Sequence, residues 1–391
     1  MTASDRPAWL DTAAFACLLG AVALVQFSIA AAEILLALAA AGWLAITIGR
    51  RERPGVPAFF WPLAAYAIWT LVSVAFSSNP LASLSDSREL LLFLTVPVAY
   101  RLASGRRVWT TLDVIISVGA ISAAVGIVQY GILNYDHLGQ RPQGTLGHYM
   151  TYSGTLMLVI GATAARFVFR KENRAWPALV MPALLVALAL TFTRSAWVGA
   201  CVAVGLLFAL KDFRLLAILP VVAAIFFALA PQALTSRVYS MFSLNDPTTR
   251  DRMAMMREGL HMIRDYPLTG VGPDMVIQRY AEYRDAGAVE AINPHLHNVP
   301  LQIAAERGLP ALAIWLWFIV ATVVALWRSF RAGPSRALAA AGLASVAAML
   351  SAGLFEYNFG DSEFLVLFLV LITLPFAAAR NGTPAASAHA G

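Results

Sequence analysis

The chain has 391 residues, of which 59% are hydrophobic and only 13% are charged, and its formal net charge is +6 at pH 7. A soluble protein of this length carries about twice that charged fraction, so an ordinary soluble domain is excluded. The positive charge does not indicate nucleic-acid binding, because the basic residues divide between short loops and one long polar loop.

Apolar runs long enough to cross a bilayer recur along the whole chain, since a spanning helix needs about 17–25 residues. The runs are 12–30, 33–49, 58–77, 89–102, 109–133, 149–168, 176–193, 195–210, 215–231, 299–327, 337–355 and 363–379. They predict an all-α integral membrane protein with about twelve transmembrane helices. The first run lacks a small-residue cleavage site and a second run follows at once, which is not the pattern of a cleavable signal peptide.

This pattern divides the chain into four parts. Residues 1–231 hold predicted spans 1–9, residues 232–298 form a large polar loop with amphipathic helices, and residues 299–380 hold spans 10–12. The small and polar residues of 381–391 predict a disordered cytoplasmic tail. Cys17 and Cys201 lie inside apolar runs, which favours packing roles over a disulfide or a metal site.

Charge orients the spans, because short loops rich in Lys and Arg remain in the cytoplasm. The basic loops are 50–53, 101–107, 166–174, 211–214 and 328–336, and they alternate without a break with loops on the other face. Both termini are therefore predicted inside. The outer face receives 77–88, 134–148, 193–194, 232–298 and 356–361, which hold five of the six histidines: His137, His148, His261, His295 and His297.

The first outer loop ends in Asp86-Ser87-Arg88-Glu89. Arg88 is either an interface anchor or a phosphate ligand. Asp86 and Glu89 have the chemistry of a magnesium pair, but a solvated charge cluster is the favoured interpretation and we expect no metal. In the second outer loop, Arg141 lies in a turn rich in Pro and Gly, which is typical of a ligand-shaping loop.

Arg194 lies between two short apolar runs, in Thr191-Phe192-Thr193-Arg194-Ser195. An arginine at that depth is costly unless it faces a cavity or a partner. Snorkelling to the interface is the alternative, and the pattern favours a functional cavity.

The long loop 232–298 contains a predicted basic amphipathic helix. Asp246 and Pro247 form a helix start, and apolar residues then recur at helical spacing from Met253 to Ile263. Such a helix lies naturally in a membrane interface. Each of its arginines either meets anionic headgroups or binds substrate, and as a group we expect them to include at least one substrate ligand. A second helix is predicted at 275–283.

Pro294-His295-Leu296-His297-Asn298 closes the long loop where the chain re-enters the bilayer. Imidazole accepts a proton near neutral pH, so a histidine here suits a general base. Two unreactive interfacial histidines are the alternative, and a His-x-His metal pair has no obvious third ligand. Glu356, Asp361 and Glu363 flank the last outer turn, where they could pair with arginines or meet a sugar.

These residues together resemble the O-antigen ligase superfamily, which also contains O-antigen polymerases and pilin oligosaccharyltransferases. His297-Asn298, nine further residues and Gly308 resemble the ligase motif, although Ala311 stands where that motif usually ends in Gly, Thr or Tyr. The stretches 141–145, 193–197 and 266–272 also resemble the superfamily. The resemblance covers most of the chain.

The resemblance implies a GT-C-like glycosyltransferase of lipopolysaccharide biosynthesis in the bacterial inner membrane. A glycan would pass from undecaprenyl pyrophosphate to a sugar hydroxyl of lipid A–core on the periplasmic face, without a metal or cofactor. His297 matches the catalytic histidine of the family, and Arg194 with Arg250 or Arg252 lies near its essential arginines. The full set expected to bind substrate is Arg88, Arg141, Arg194, Arg250, Arg252, Arg264, His295 and Asn298.

The expected partners are the lipid-linked donor, the lipid A–core acceptor and membrane lipids, with no nucleic acid. His297 would take the acceptor proton in an inverting attack while arginines stabilise the leaving pyrophosphate. A polymerase would join two lipid-linked repeats, and a pilin-type transferase would modify a protein serine. A lipid-linked glycan transporter is the alternative from another class, but no repeated half is visible and the polar residues cluster at one face.

Overall fold

The structure is a computed structural model that describes residues 8–243, 246–333 and 335–380. The tail predicted to be disordered, 381–391, lies outside the described residues. Within them the chain is helical, and the pairing of His137 with Gln140 is an isolated β-bridge. The α-helices are α1 Ala8–Leu24, α2 Ile29–Gly49, α3 Phe60–Ala75, α4 Pro80–Asp86, α5 Thr95–Leu102, α6 Arg107–Gly131, α7 Tyr149–Phe169, α8 Ala175–Leu190, α9 Arg194–Lys211, α10 Ile218–Leu229, α11 Gln232–Tyr239, α12 Pro247–Asp265, α13 Met275–Tyr283, α14 Val299–Ala332, α15 Arg336–Gly353 and α16 Ser362–Ala379.

Seven of these helices are long and apolar enough to cross a membrane: α2, α6, α7, α9, α14, α15 and α16. Four shorter apolar helices accompany them, at Trp9–Leu24, Phe60–Ala75, Ala175–Leu190 and Phe213–Ile225. The all-helical, multi-pass character predicted from the sequence is therefore confirmed within the described residues.

The predicted span 89–102 does not form one regular helix. It divides into a 3₁₀ segment, Ser87–Leu94, and the eight-residue helix α5. Pro97 lies just past the junction and has no backbone N–H, so it cannot donate the hydrogen bond that would join the two pieces into one α-helix. Apolar composition alone does not predict this division of the span.

Helix α15 lies at the centre of the bundle, where it packs against α7, α9, α14 and α16. Its sequence is rich in alanine, and small residues let helix backbones approach closely in membrane proteins. The same holds on α9, where a Cβ added at Gly199 would lie 2.0 Å from the sulfur of Met157 and 3.1 Å from the carbonyl of Ala348. This close packing fixes the spans that surround the site.

Helix α14 is interrupted at Gly308, whose backbone has φ 80° and ψ 170°. Residues before it form a short outer helix, and residues after it form the apolar span. A Cβ at this position would lie 2.0 Å from the carbonyl oxygen of Leu268. The turn around Leu268 docks against this break through a hydrogen bond from the Leu309 N–H to the Pro267 carbonyl at 2.8 Å.

The long polar loop contains α11, α12 and α13. It is tied to the outer part of α14 by backbone hydrogen bonds from Val271 to Ala305 and from Gly272 to Glu306, both of 2.9 Å. The loop therefore packs directly over the residues that follow His297.

Candidate active site

His297 and Glu356 form a hydrogen-bonded pair at the junction of the long loop and α14. The distance between His297 Nδ1 and Glu356 Oε1 is 2.8 Å, and both side chains are largely buried. An ionised carboxylate can only accept, so this contact places the hydrogen on Nδ1 and leaves Nε2 with a lone pair. The pair thus provides an imidazole that is oriented to accept a proton.

Charge keeps the Glu356 carboxylate ionised. Burial would raise its pKa, but the neighbouring His297, a hydrogen bond from the Tyr357 N–H and the positive charge of Arg252 lower the pKa below its usual value. Burial and the proximity of His297 lower the pKa of His295. These effects favour the neutral form of His295, and His297 is the one with a carboxylate partner.

The backbone around His297 is held in an unusual conformation. His297 has φ 46°, in the left-handed region that non-glycine residues rarely adopt. Asn298 stabilises it from the next position, because its Oδ1 accepts from the Leu301 N–H at 2.9 Å and its Nδ2 donates to the Leu354 carbonyl at 3.0 Å. Asn298 thus begins α14 as its N-cap, which explains why an amide follows the histidine.

A cavity of about 660 Å³ opens beside the pair. Its polar lining includes His297, Asn298, Arg194 and Arg252. Its remaining walls are mostly apolar: Val198, Met241, Met253, Met256, Leu260, Ile263, Leu296, Pro300, Leu301, Ala304, Leu309, Leu312, Leu354 and Phe355, with Ser195 and Thr249. We call this space the arginine cavity.

Arg194 lies in the wall of the arginine cavity and is only 7% exposed. Its guanidinium donates to Ser240 Oγ and to Asp246 Oδ1, both at 3.1 Å. Asp246 also accepts from the Thr249 N–H and caps α12, as the helix start in the sequence predicted. One carboxylate therefore joins the entry of α9 to the start of α12.

Arg252 has a buried Nε atom with no hydrogen-bond partner within the described part of the chain. Burial lowers the pKa of this guanidinium. The negative charge of Glu356 opposes this shift, and the positive charge of Arg194 adds to it. A buried donor without a hydrogen-bond partner destabilises the protein. An anion such as phosphate is the partner that a guanidinium binds best.

Two more arginines add to the positive potential here. The pKa of Arg237 falls to about 10 because of burial and of its neighbours Arg194 and Arg141. Arg141 donates from Nε to the Leu138 carbonyl at 3.0 Å, and its guanidinium lies 4.2 Å from the centre of the Tyr149 ring. Arg237 is a residue that the sequence-based set of ligands missed.

Three predicted ligands lie elsewhere. Arg88, Arg250 and Arg264 are exposed and do not line the arginine cavity. Arg264 lines a separate surface pocket with His261 and the segment 282–286. On α12 the cavity face carries Arg252 and the apolar residues, whereas Arg250 points to another side of the helix.

Asp86 and Glu89, the acidic residues of the first predicted outer loop, line one small pocket together with Arg307. Asp86 lies 3.8 Å from Arg307, and Glu89 Oε1 accepts from Ser362 Oγ at 3.0 Å. Across the described ranges, no group of three or more His, Cys, Asp or Glu side chains could hold a metal ion.

Glu356 is the other residue of this site that the sequence did not single out. It was recognised only as one of three acids at the last outer turn, and 59 residues separate it from His297. The signal that could have singled it out is its position three residues after the end of α15, opposite the re-entry of the long loop.

The sequence model of the O-antigen ligase family matches residues 178–316. The matched segment begins within α8 and ends within α14, so it includes Arg194, Arg252 and His297. No curated protein matches the chain.

Proposed function

We propose that this chain, a member of the O-antigen ligase-like superfamily, is an O-antigen ligase of the bacterial inner membrane. It transfers a glycan from undecaprenyl pyrophosphate to a sugar hydroxyl of lipid A–core on the periplasmic face. The family includes ligases and polymerases. The observation that carries the proposal is the His297–Glu356 pair at the edge of the arginine cavity.

The arginine cavity has the two properties that a lipid-linked pyrophosphate requires. Its apolar walls suit a polyprenyl chain, whereas the guanidinium groups of Arg194 and Arg252 suit phosphate oxygens. Arg141 and Arg237 add positive charge nearby. This distribution supports a donor whose lipid lies along α12 and whose pyrophosphate lies beside the two buried arginines.

In the proposed reaction, His297 Nε2 accepts the proton of the acceptor hydroxyl as its oxygen attacks the anomeric carbon of the donor sugar. The bond between that carbon and the pyrophosphate oxygen breaks, and its electron pair leaves with the pyrophosphate. Arginines stabilise the developing negative charge. Because a single attack occurs opposite the leaving group, the configuration at the anomeric carbon is inverted.

Glu356 holds the imidazole in the required tautomer and stabilises the imidazolium that forms. General-base assistance of this kind contributes about 10² to 10⁴ in rate. The proposed chemistry uses only groups of this chain and needs neither nucleotide nor redox cofactor.

The test uses purified full-length protein, undecaprenyl-pyrophosphate glycan and lipid A–core, with EDTA present and no nucleotide. Wild type should form ligated lipopolysaccharide, His297→Ala should not, and the matched loop variant His261→Ala should retain activity because His261 lies in a different pocket. Product from His297→Ala would remove His297 as the base. No product from wild type, but product when the acceptor is a second lipid-linked glycan or a pilin serine, would overturn the ligase reaction.

A further inference from the structure

A second cavity, of about 380 Å³, also reaches the His297–Glu356 pair. His297 lines both cavities, whereas Arg194 and Arg252 line only the first. The walls of the second cavity are formed by His148, Met150, Thr151, Gly154, Pro294, His295, His297, Glu356, Tyr357, Asn358, Gly360, Asp361 and Phe364. We call this space the acidic cavity, because its charged walls are carboxylates.

The two cavities differ in charge. None of the residues lining the acidic cavity, all within the described ranges, is Arg or Lys, and two of them are Glu356 and Asp361. Carboxylates in a partly buried space repel phosphate, since Coulomb interactions are stronger where water is scarce. The acidic cavity is therefore unsuited to a pyrophosphate and suited to hydroxyl or amino groups.

Two buried acceptor atoms belong to residues of this wall. Glu356 Oε2 and Asn358 Oδ1 have no hydrogen-bond partner among the described residues, and Asn358 is only 6% exposed. An unpaired buried acceptor costs free energy that a donated hydrogen bond restores. Sugar hydroxyls can supply such bonds, and the rings of His295 and Tyr357, whose centres are 5.5 Å apart, give the same wall flat aromatic surfaces.

We propose that the acidic cavity is the acceptor subsite and that it binds an uncharged or amino sugar, excluding a sugar with a phosphate or carboxylate beside the reacting hydroxyl. This inference rests on the proposed function and extends it to the acceptor. The acceptor hydroxyl reaches His297 from the acidic cavity, and the donor reaches it from the arginine cavity. The negative charge of the acidic cavity repels the donor pyrophosphate, and the positive charge of the arginine cavity attracts it, so each substrate binds in its own cavity.

Asp361 provides the sharpest test, because its side chain lines the acidic cavity and not the arginine cavity. Its Oδ2 accepts from Thr151 Oγ1 and its Oδ1 accepts from the Phe364 N–H as the N-cap of α16. Asp361→Asn retains an N-cap oxygen, so the helix start should persist while the ionisable carboxyl is replaced by a neutral amide. Burial raises the pKa of Asp361, so the effect of the variant should grow as the pH rises and the carboxyl ionises. His148→Ala, at an exposed position of the same wall, is a second variant that does not depend on this cap.

The experiment measures KM for acceptor and donor separately, with full-length enzyme in lipid nanodiscs. Each variant should raise the acceptor KM on the order of tenfold, the effect of one lost hydrogen bond to the acceptor, and leave the donor KM within twofold. Met253→Ala, in the arginine cavity, should show the reverse. A truncated acceptor with phosphate on the terminal sugar should be a poor substrate for wild type, and Asp361→Asn should reduce that discrimination.

The outcomes separate the two hypotheses. Absence of product from wild type with every acceptor would overturn the ligase reaction. Product from wild type with an unchanged acceptor KM in both variants would overturn the acceptor assignment alone. A raised donor KM with an unchanged acceptor KM would reverse the two sides, and equal use of neutral and phosphorylated acceptors by wild type would overturn the charge argument.

Discussion

Glu356 Oε1 lies 2.8 Å from His297 Nδ1 although 59 residues separate the two in sequence. Helix α15 ends at Gly353, three residues before Glu356, and α14 begins directly after His297 and Asn298. The pair therefore depends on the packing of α14 against α15, because the proposed base lies just before the start of one helix and its orienting carboxylate lies just past the end of the other.

Replacing Glu356 with Gln should lower kcat by about 10² to 10⁴. A glutamine amide can donate to Nδ1 and so favour the imidazole tautomer whose Nε2 carries the hydrogen, which cannot accept the hydroxyl proton. The donor KM should change little. Steady-state kinetics on the purified variant measure both constants, and Glu282→Gln, on the exposed side of α13, serves as the control. A kcat equal to that of wild type would remove Glu356 from the mechanism.

Arg252 and Arg250 form a matched pair on α12, because only Arg252 lines the arginine cavity. Arg252→Lys should lower kcat/KM for the donor about 10- to 100-fold, since an ammonium group cannot reproduce the bidentate contact of a guanidinium with phosphate. Arg250→Lys should leave it within twofold. The measurement is initial rate against donor concentration at saturating acceptor. Equal losses in both variants would show that general surface charge, not a specific contact, recruits the donor.

Gly308→Ala should destabilise the protein more than Gly147→Ala. Both glycines have positive φ, 80° and 75°, so both variants should incur backbone strain of about 1–3 kcal/mol. Only at Gly308 would the new Cβ meet backbone, 2.0 Å from the Leu268 carbonyl oxygen, whereas nothing lies within 4 Å at Gly147.

Thermal unfolding in detergent measures this difference. The extra clash should appear as a lower Tm for Gly308→Ala and as lost transfer activity, because the outer part of α14 that follows His297 would shift. Equal Tm values for the two variants would show that the turn around Leu268 can yield without cost.

The sequence predicted helices and their order because apolar runs of span length are a strong and local signal. It also predicted a cavity at Arg194, because few residues in such runs are polar, and Arg194 lines the arginine cavity. It could not separate Arg250 from Arg252. These residues are two positions apart, so their side chains point in directions about 200° apart around a helix. The apolar pattern does not fix the rotation of α12 about its axis, so it does not show which of the two faces the cavity.

The pairing of Glu356 with His297 could not be predicted from the sequence either, but for another reason. Contacts between distant segments depend on how α14, α15 and the long loop pack, and no periodicity encodes that packing. The division of 89–102 into a 3₁₀ segment and α5 shows the same limit at shorter range, because hydrophobicity does not report backbone geometry.

The ion pair between Arg194 and Asp246 should make part of the stability depend on pH. Burial would raise the pKa of Asp246, but the hydrogen bond and positive charge of Arg194 lower it below the ordinary value of 3.8. A carboxyl whose pKa is lowered on folding contributes stability above its unfolded pKa, and that contribution is lost as the pH falls through the folded value.

Asp246→Asn should therefore lower Tm by a few degrees at neutral pH, and the gap from wild type should narrow as the pH falls below 3.8. Unfolding of both proteins from pH 7 to pH 3 measures this gap. Asp265→Asn is the control, since Asp265 lies at the other end of α12 and its effect should not follow the same pH course. A gap that stays constant down to pH 3 would mean that Asp246 acts through its helix cap and not through the charge of Arg194.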